Sequence, residues 1–171
     1  MALPLDVFCP SHKTSIPQRN IVIDDDGNPF LCDFGLSRIQ HEVTRTFTSI
    51  VEGGKYRFLA PELYSGMDQK FRTSRASDCY AFGMTILEMA TLQRPFAEFD
   101  NEMSASRAAE RGQRPRRPED MGDLPCEAAD ALWALLVKMW AHDPEERPGL
   151  DVVETRLESV LSMLVPSTGA D

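Results

Sequence analysis

Apolar positions recur along the second half of the chain with a helical period. Between residues 79 and 90, Cys79, Tyr80, Phe82, Met84, Ile86, Leu87, Met89 and Ala90 leave almost no polar face, which predicts a helix buried in the middle of a domain. Asp78 stands directly before this run and suits the N-cap, where a carboxylate accepts hydrogen bonds from the free amides of the first turn. Arg94-Pro95 ends the pattern. Leu132, Leu135, Leu136, Met139 and Trp140 share one face of an amphipathic helix over roughly 127–141, stopped by His142-Asp143-Pro144. Leu150, Val153, Leu157, Val160, Leu161 and Leu164 follow at spacings of three and four, closed by Pro166. A weaker helix is predicted over roughly 100–110. Gly112, Pro115, Pro118 and Gly122 then mark a connecting loop.

The first half reads differently. Pro4, Pro10 and Pro17 leave no room for a long helix in residues 1–19. Ile21-Val22-Ile23 is short and β-branched, Asp24-Asp25-Asp26-Gly27-Asn28 supplies turn chemistry, and Phe30-Leu31-Cys32 is apolar again, so a small hairpin is predicted. The acidic triplet lacks the ligand spacing and closing Glu of a calcium loop. Residues 35–54 carry no sustained period and read as loop. The fold class is therefore mainly α, a β-hairpin followed by a helical bundle.

Composition narrows the functional classes. The 171 residues suit one domain, 42% of them hydrophobic and 26% charged, as in a globular protein. A net charge of −9 disfavours nucleic acid or an anionic membrane as partner. The five arginines from Arg107 to Arg117 run against that balance, but they are interleaved with Glu110, lack an aromatic companion and read as a solvated loop. Cys9, Cys32, Cys79 and Cys126 are far apart, without a Cys-x-x-Cys pair, which argues against a zinc site or a disulfide framework. With no signal-like start and no run of membrane-spanning length, the expected setting is cytoplasmic, or alternatively nuclear.

The chemistry is carried by separated motifs. Asp33-Phe34-Gly35 and Ala60-Pro61-Glu62 are 24 residues apart, Asn20 precedes Asp33 by 13 positions, and Asp78 and Asp143-Pro144-Glu145-Glu146-Arg147-Pro148 follow in order. In this order and spacing the chain resembles the C-terminal lobe of a protein kinase over about residues 20–165, with 1–19 an unmatched leader and 166–171 a tail. The resemblance implies ATP and Mg²⁺ as the family's cofactors, with Asn20 and Asp33 as metal and nucleotide ligands. It implies an activation segment from Asp33-Phe34-Gly35 to Ala60-Pro61-Glu62, containing Thr44, Thr46, Thr48, Ser49 and Lys55. It also implies an architectural ion pair between Glu62 and Arg147, and a bracing role for Asp78 against the catalytic-loop backbone. Gly112-Gln113-Arg114-Pro115-Arg116-Arg117-Pro118 is similar to the tyrosine-kinase-like branch.

The match fails at the catalytic loop. The family's base Asp lies five residues before the Asn, and here that position is Ser15. A serine hydroxyl does not accept the substrate's proton near neutral pH as a carboxylate does. Thr14 and Pro17 replace the loop's usual Arg and Lys, and Lys55 occupies the place of a Thr that bonds the base. No Gly-rich loop or strand Lys fits into residues 1–19. The expectation is a kinase lobe inactive by itself, serving as a binding or scaffold module with a protein partner or substrate. The alternative is an incomplete reading of an active kinase whose N-lobe and catalytic loop lie upstream. Without the helix that precedes the catalytic loop in the family, part of the 79–90 surface is expected to lack cover, and the lobe to have reduced stability or to need a partner.

Overall fold

The structure is a computed structural model that describes residues 21–31, 55–64 and 74–164. The chain divides into two compact units, Met1–Ser49 and Ile50–Asp171, and the described residues of each are taken separately.

In the first unit, β1 (Ile21–Ile23) pairs antiparallel with β2 (Pro29–Leu31), in the register Ile21 to Leu31, Val22 to Phe30 and Ile23 to Pro29. The second strand thus begins at Pro29, one residue earlier than the apolar run suggests. The acidic run forms the turn. Asp24 Oδ1 accepts from the amides of Asp26 and Asn28 at 3.0 and 2.7 Å, and Gly27, at φ +85°, donates its amide to the Asp24 carbonyl. These donors hold the Asp24 carboxyl below its ordinary range, Asn28 contributing most.

Among the described residues of the second unit there are four helices: α1 (Arg75–Thr91), α2 (Glu102–Glu110), α3 (Cys126–Met139) and α4 (Leu150–Ser162). Short 3-10 turns occupy Lys55–Phe58, Pro61–Leu63 and Pro144–Glu146. α1 is the central element; α3 packs on it, α4 packs on α3, and the Lys55–Phe58 turn sits against α1 and α2. The core gathers Tyr80, Met84, Leu87, Phe96, Leu136, Met139 and Trp140. At the α1–α3 crossing only glycine fits at position 83, since a Cβ there would lie 2.7 Å from Trp140 Nε1 and 3.2 Å from Met139 Cβ. Gly122, at φ +72°, brings its turn against the Ala90 carbonyl, which a Cβ would meet at 2.6 Å.

Two expectations are corrected. Asp78 is not the N-cap of α1. The helix starts at Arg75, capped by Ser74, whose Oγ accepts the Ser77 amide while Ser77 Oγ accepts the Ser74 amide, at 3.1 and 2.8 Å. This reciprocal box satisfies two end amides at once, and it moves Asp78 into the first turn. The apolar stripe of α4 is also narrower than its sequence pattern: Val153 and Val160 are buried, Leu157 and Leu164 partly so, while Leu150 and Leu161 are exposed. On α1, Phe82 and Met89 stand exposed seven residues apart, on one side of the helix.

Candidate functional site

Ser15, Asn20, Asp33, Phe34, Gly35, Thr44, Thr46, Thr48 and Ser49 lie outside the described residues. The amide and carboxylate oxygens of Asn20 and Asp33 are the hard donors that Mg²⁺ takes, so the donor chemistry fits the ion. Among the described residues no group of three His, Cys, Asp or Glu side chains is arranged to hold a metal.

The structure places the remaining candidates around two buried guanidinium groups. Ala60-Pro61-Glu62 forms the start of a 3-10 turn, with Pro61 at its first position, where the missing amide costs nothing. Ala60 is buried, and Glu62 points its carboxylate at Arg147. Arg147 follows the 3-10 turn Pro144–Glu146, whose cap is Asp143, its side chain accepting the Glu145 amide at 3.0 Å.

Arg147 makes a planar, two-pronged contact with Glu62, Nη1 to Oε1 and Nη2 to Oε2, both at 2.7 Å. Its Nε donates to the Ala141 carbonyl at 2.9 Å, Nη1 also donates to the Ala76 carbonyl at 2.9 Å, and the guanidinium lies 5.1 Å from the Tyr80 ring centroid. The Arg147 side chain has no exposure, and that of Glu62 retains 28%. One cation thereby ties the Ala60–Leu63 segment to the start of α1 and to the chain after α3. Burial also pushes the Tyr80 hydroxyl and the Cys79 thiol above their ordinary ranges. Cys79 Sγ lies 3.4 Å from the Pro148 carbonyl, in the role of a small core residue.

The second node was not visible in the motifs. Arg57, 2% exposed, donates Nε to Glu102 Oε1 at 2.6 Å, Nη1 to the carbonyls of Pro95 and Phe96 at 2.9 and 2.6 Å, and Nη2 to the Phe99 carbonyl at 2.8 Å. Phe96 is buried at φ +56°, a left-handed conformation rare for a bulky residue. That twist turns consecutive carbonyls toward one cation. The only sequence signal was an arginine inside the aromatic run Tyr56-Arg57-Phe58. Lys55 opens the same 3-10 turn. The Tyr64 hydroxyl donates to the Tyr56 carbonyl, closing the segment against itself.

Asp78 lies in the first turn of α1, and partial burial pushes its carboxyl above the usual range. Glu88 is a further buried carboxylate on α1: it is 1% exposed, its Oε2 has no hydrogen-bond partner among the described residues, and burial pushes it up to about 7.

Residues 12–157 match the family model described as protein tyrosine and serine/threonine kinase. The chain belongs to the protein kinase family. It is 31% identical to a probable serine/threonine-protein kinase of Dictyostelium discoideum, over 88% of this chain and 15% of that protein. It is 31% identical to the tyrosine-protein kinase MasK of Myxococcus xanthus, over 98% of this chain and 24% of MasK. It is 30% identical to receptor-interacting serine/threonine-protein kinase 2 of Bos taurus, over 84% of this chain and 27% of that kinase. The kinase-like chain thus spans about a quarter or less of each of these relatives, which include both serine/threonine and tyrosine kinases.

In the described residues the donors of both guanidinium groups are taken up within the fold. Both guanidinium nodes fix the segment that ends at Glu62, and neither Arg147 nor Arg57 is free to act on a substrate.

Proposed function

We propose that these residues form the C-terminal lobe of a kinase of the tyrosine-kinase-like branch, and that by themselves they serve as a protein-binding module without phosphoryl transfer. The observation that carries this reading is Ser15, five residues before Asn20, where the reaction requires a carboxylate base. Lys55 supports it, standing where a Thr partner of that base belongs. The Glu62–Arg147 and Arg57 nodes support the binding half of the reading, because they tie the segment ending at Glu62 to its neighbours and so hold a defined surface for a partner. Gly112-Gln113-Arg114-Pro115-Arg116-Arg117-Pro118 supports the branch assignment. ATP and Mg²⁺ enter as family cofactors, with Asn20 and Asp33 as the residues that would hold them. A protein partner in the cytoplasm or nucleus fits the acidic balance better than nucleic acid or a membrane. Among the described residues no helix is long and apolar enough to cross a membrane.

The test is radiolabelled transfer from Mg²⁺-ATP to a generic protein substrate, with Asp33→Ala as control. No transfer above the control is expected, and reproducible Asp33-dependent transfer would overturn the reading.

A second reading rests on the small share of each relative that the chain covers. The residues then belong to a longer, active kinase whose catalytic base and nucleotide roof are encoded upstream. Sequencing the 5′ end of the transcript separates the two: an in-frame His-Arg-Asp segment upstream establishes the second reading, and its absence removes it.

A further inference from the structure

Arg107 and Arg111 lie one turn apart at the C-terminal end of α2, and Arg114 and Arg116 follow in the loop; together the four line one open groove of about 780 Å³. Glu98 is the one carboxylate in its lining, and Phe99 the one aromatic. Among the described residues Arg107, Arg111 and Arg116 make no ion pair, while Arg114 Nε is held by the Trp140 carbonyl at 3.1 Å with its terminal nitrogens left over. A smaller cleft of about 160 Å³ shares Glu98 and Arg116 with this groove and adds Arg94 and Arg117.

The fold accounts for this arrangement only in part. Like charges one turn apart on a helix destabilise it. The helix dipole compensates cations in a last turn, which covers Arg107 and Arg111 but not Arg114 or Arg116. Arg117 shows what a structural arginine here looks like: it pairs with Asp130 and lies 5.9 Å from the Trp133 ring centroid. The other four concentrate positive charge in one concavity of a chain whose net charge is −9. Guanidinium planes are matched to phosphate by paired N–H donors.

We propose that this groove binds an extended acidic segment of a partner protein carrying a phosphorylated serine or threonine. Four guanidiniums against one carboxylate leave more positive charge than a lone phosphate, of roughly −2, neutralises, so acidic residues flank the phosphate. The neighbouring cleft on the other side of Arg116 offers a second contact to a strand of peptide that a single ion cannot use. A long polyanion is the poorer fit, since the rest of the chain repels it and Phe99 is the one ring lining the groove available for base stacking, the cleft's Phe96 being buried. The proposal concerns binding alone and stands whether or not the chain transfers phosphate.

The test is calorimetric titration of the full chain with a nine-residue Gly/Ala peptide bearing phosphoserine between two aspartates on each side. The same peptide without phosphate, a 20-nucleotide single-stranded RNA and phosphatidylserine vesicles serve as comparisons. The phosphopeptide is expected to bind at least about tenfold more tightly than its unphosphorylated form, and more weakly as salt rises. R107Q/R111Q is expected to lose at least about tenfold in affinity with an unchanged melting temperature. R116E, in the loop and outside α2, gives the same loss should the double variant fold poorly. Equal affinity for the two peptides, undiminished binding by both variants, or tighter arginine-dependent binding of the RNA or vesicles would each overturn the proposal.

Discussion

Arg147 and Arg57 are both buried cations, yet they are satisfied in different ways. Arg147 meets a carboxylate in a flat two-point contact and then spends its remaining donors on carbonyls from separate parts of the chain. Arg57 meets one edge of Glu102 and puts most of its donors on three carbonyls of a single loop, Pro95, Phe96 and Phe99. The first is a charge pair that also ties backbone together. The second is a loop organised around a cation. A buried ion pair broken on one side leaves a stranded charge, whereas a loop that loses its cation can turn some carbonyls back toward water.

Arg147→Met is accordingly the largest expected effect, a loss of about 3–5 kcal/mol by urea denaturation, because both Glu62 oxygens lose their charged donor and the carboxylate is left unpaired. Arg57→Met is expected to cost less, about 2–3 kcal/mol, since Arg57 contacts Glu102 through one oxygen only and most of its donors serve carbonyls of a single loop, which can relax. An equal loss at both positions would erase the distinction. The lysine variants sharpen it. A Lys ammonium is a point charge with three donors and no plane. Arg57→Lys is expected to recover roughly half of the methionine loss by serving the carbonyl cluster, and Arg147→Lys little of it, because the two-pronged contact with Glu62 has no lysine equivalent.

The two nodes also differ in how they could be read from the sequence. Glu62 and Arg147 are 85 positions apart, and no periodicity joins them; they stand out only because each sits in a motif. Arg57 sits in no periodic pattern, and most of its partners are backbone carbonyls, which carry no residue-type signal at all. Helix α3 was readable because Leu132, Leu135, Leu136 and Met139 bury one face, and periodicity reports burial directly. The start of α1 is ambiguous in the sequence because Ser74, Ser77 and Asp78 are all good capping residues. Arg75 and Ala76 are not apolar enough to extend the pattern back to the true cap. The arginines after residue 106 looked like solvated loop because the sequence shows their neighbours along the chain but not the concavity they share.

Glu88 provides the contrast to Glu62: a buried carboxylate with one oxygen unpartnered among the described residues, pushed up to about 7 from the ordinary 4.5. The folded chain therefore holds its proton more tightly than the unfolded chain does. That contribution to stability is complete below about pH 4.5 and is lost as pH rises through about 7. Glu88→Gln removes the titration. Its stability relative to wild type is expected to improve steadily from pH 5 to pH 8, by on the order of 2 kcal/mol across that range. Parallel pH profiles for the two proteins would mean that Glu88 titrates normally in the fold.

The smallest effect separates strain that organises a node from strain that merely ends a helix. Leu92 and Phe96 are the two non-glycine residues at positive φ among the described residues, at 55° and 56°. Leu92 is the C-cap of α1, donates its amide to the Glu88 carbonyl at 2.7 Å, and is 55% exposed. Its side chain does little there, and glycine adopts the same conformation without a Cβ penalty. Relief of about 1–2 kcal/mol of left-handed strain, less about 0.5–1 kcal/mol for glycine's greater freedom when unfolded, makes Leu92→Gly stabilising by about 0.5–1 kcal/mol in thermal or urea melts. At Phe96 the same relief of strain comes with loss of a ring that is 1% exposed in the core, a deletion that ordinarily costs about 3–5 kcal/mol. Phe96→Gly is therefore strongly destabilising despite the identical backbone argument. A destabilised Leu92→Gly would mean that the leucine side chain is covered in solution, and the exposed side of α1, where Phe82 and Met89 lie, would be the first place to look for the cover.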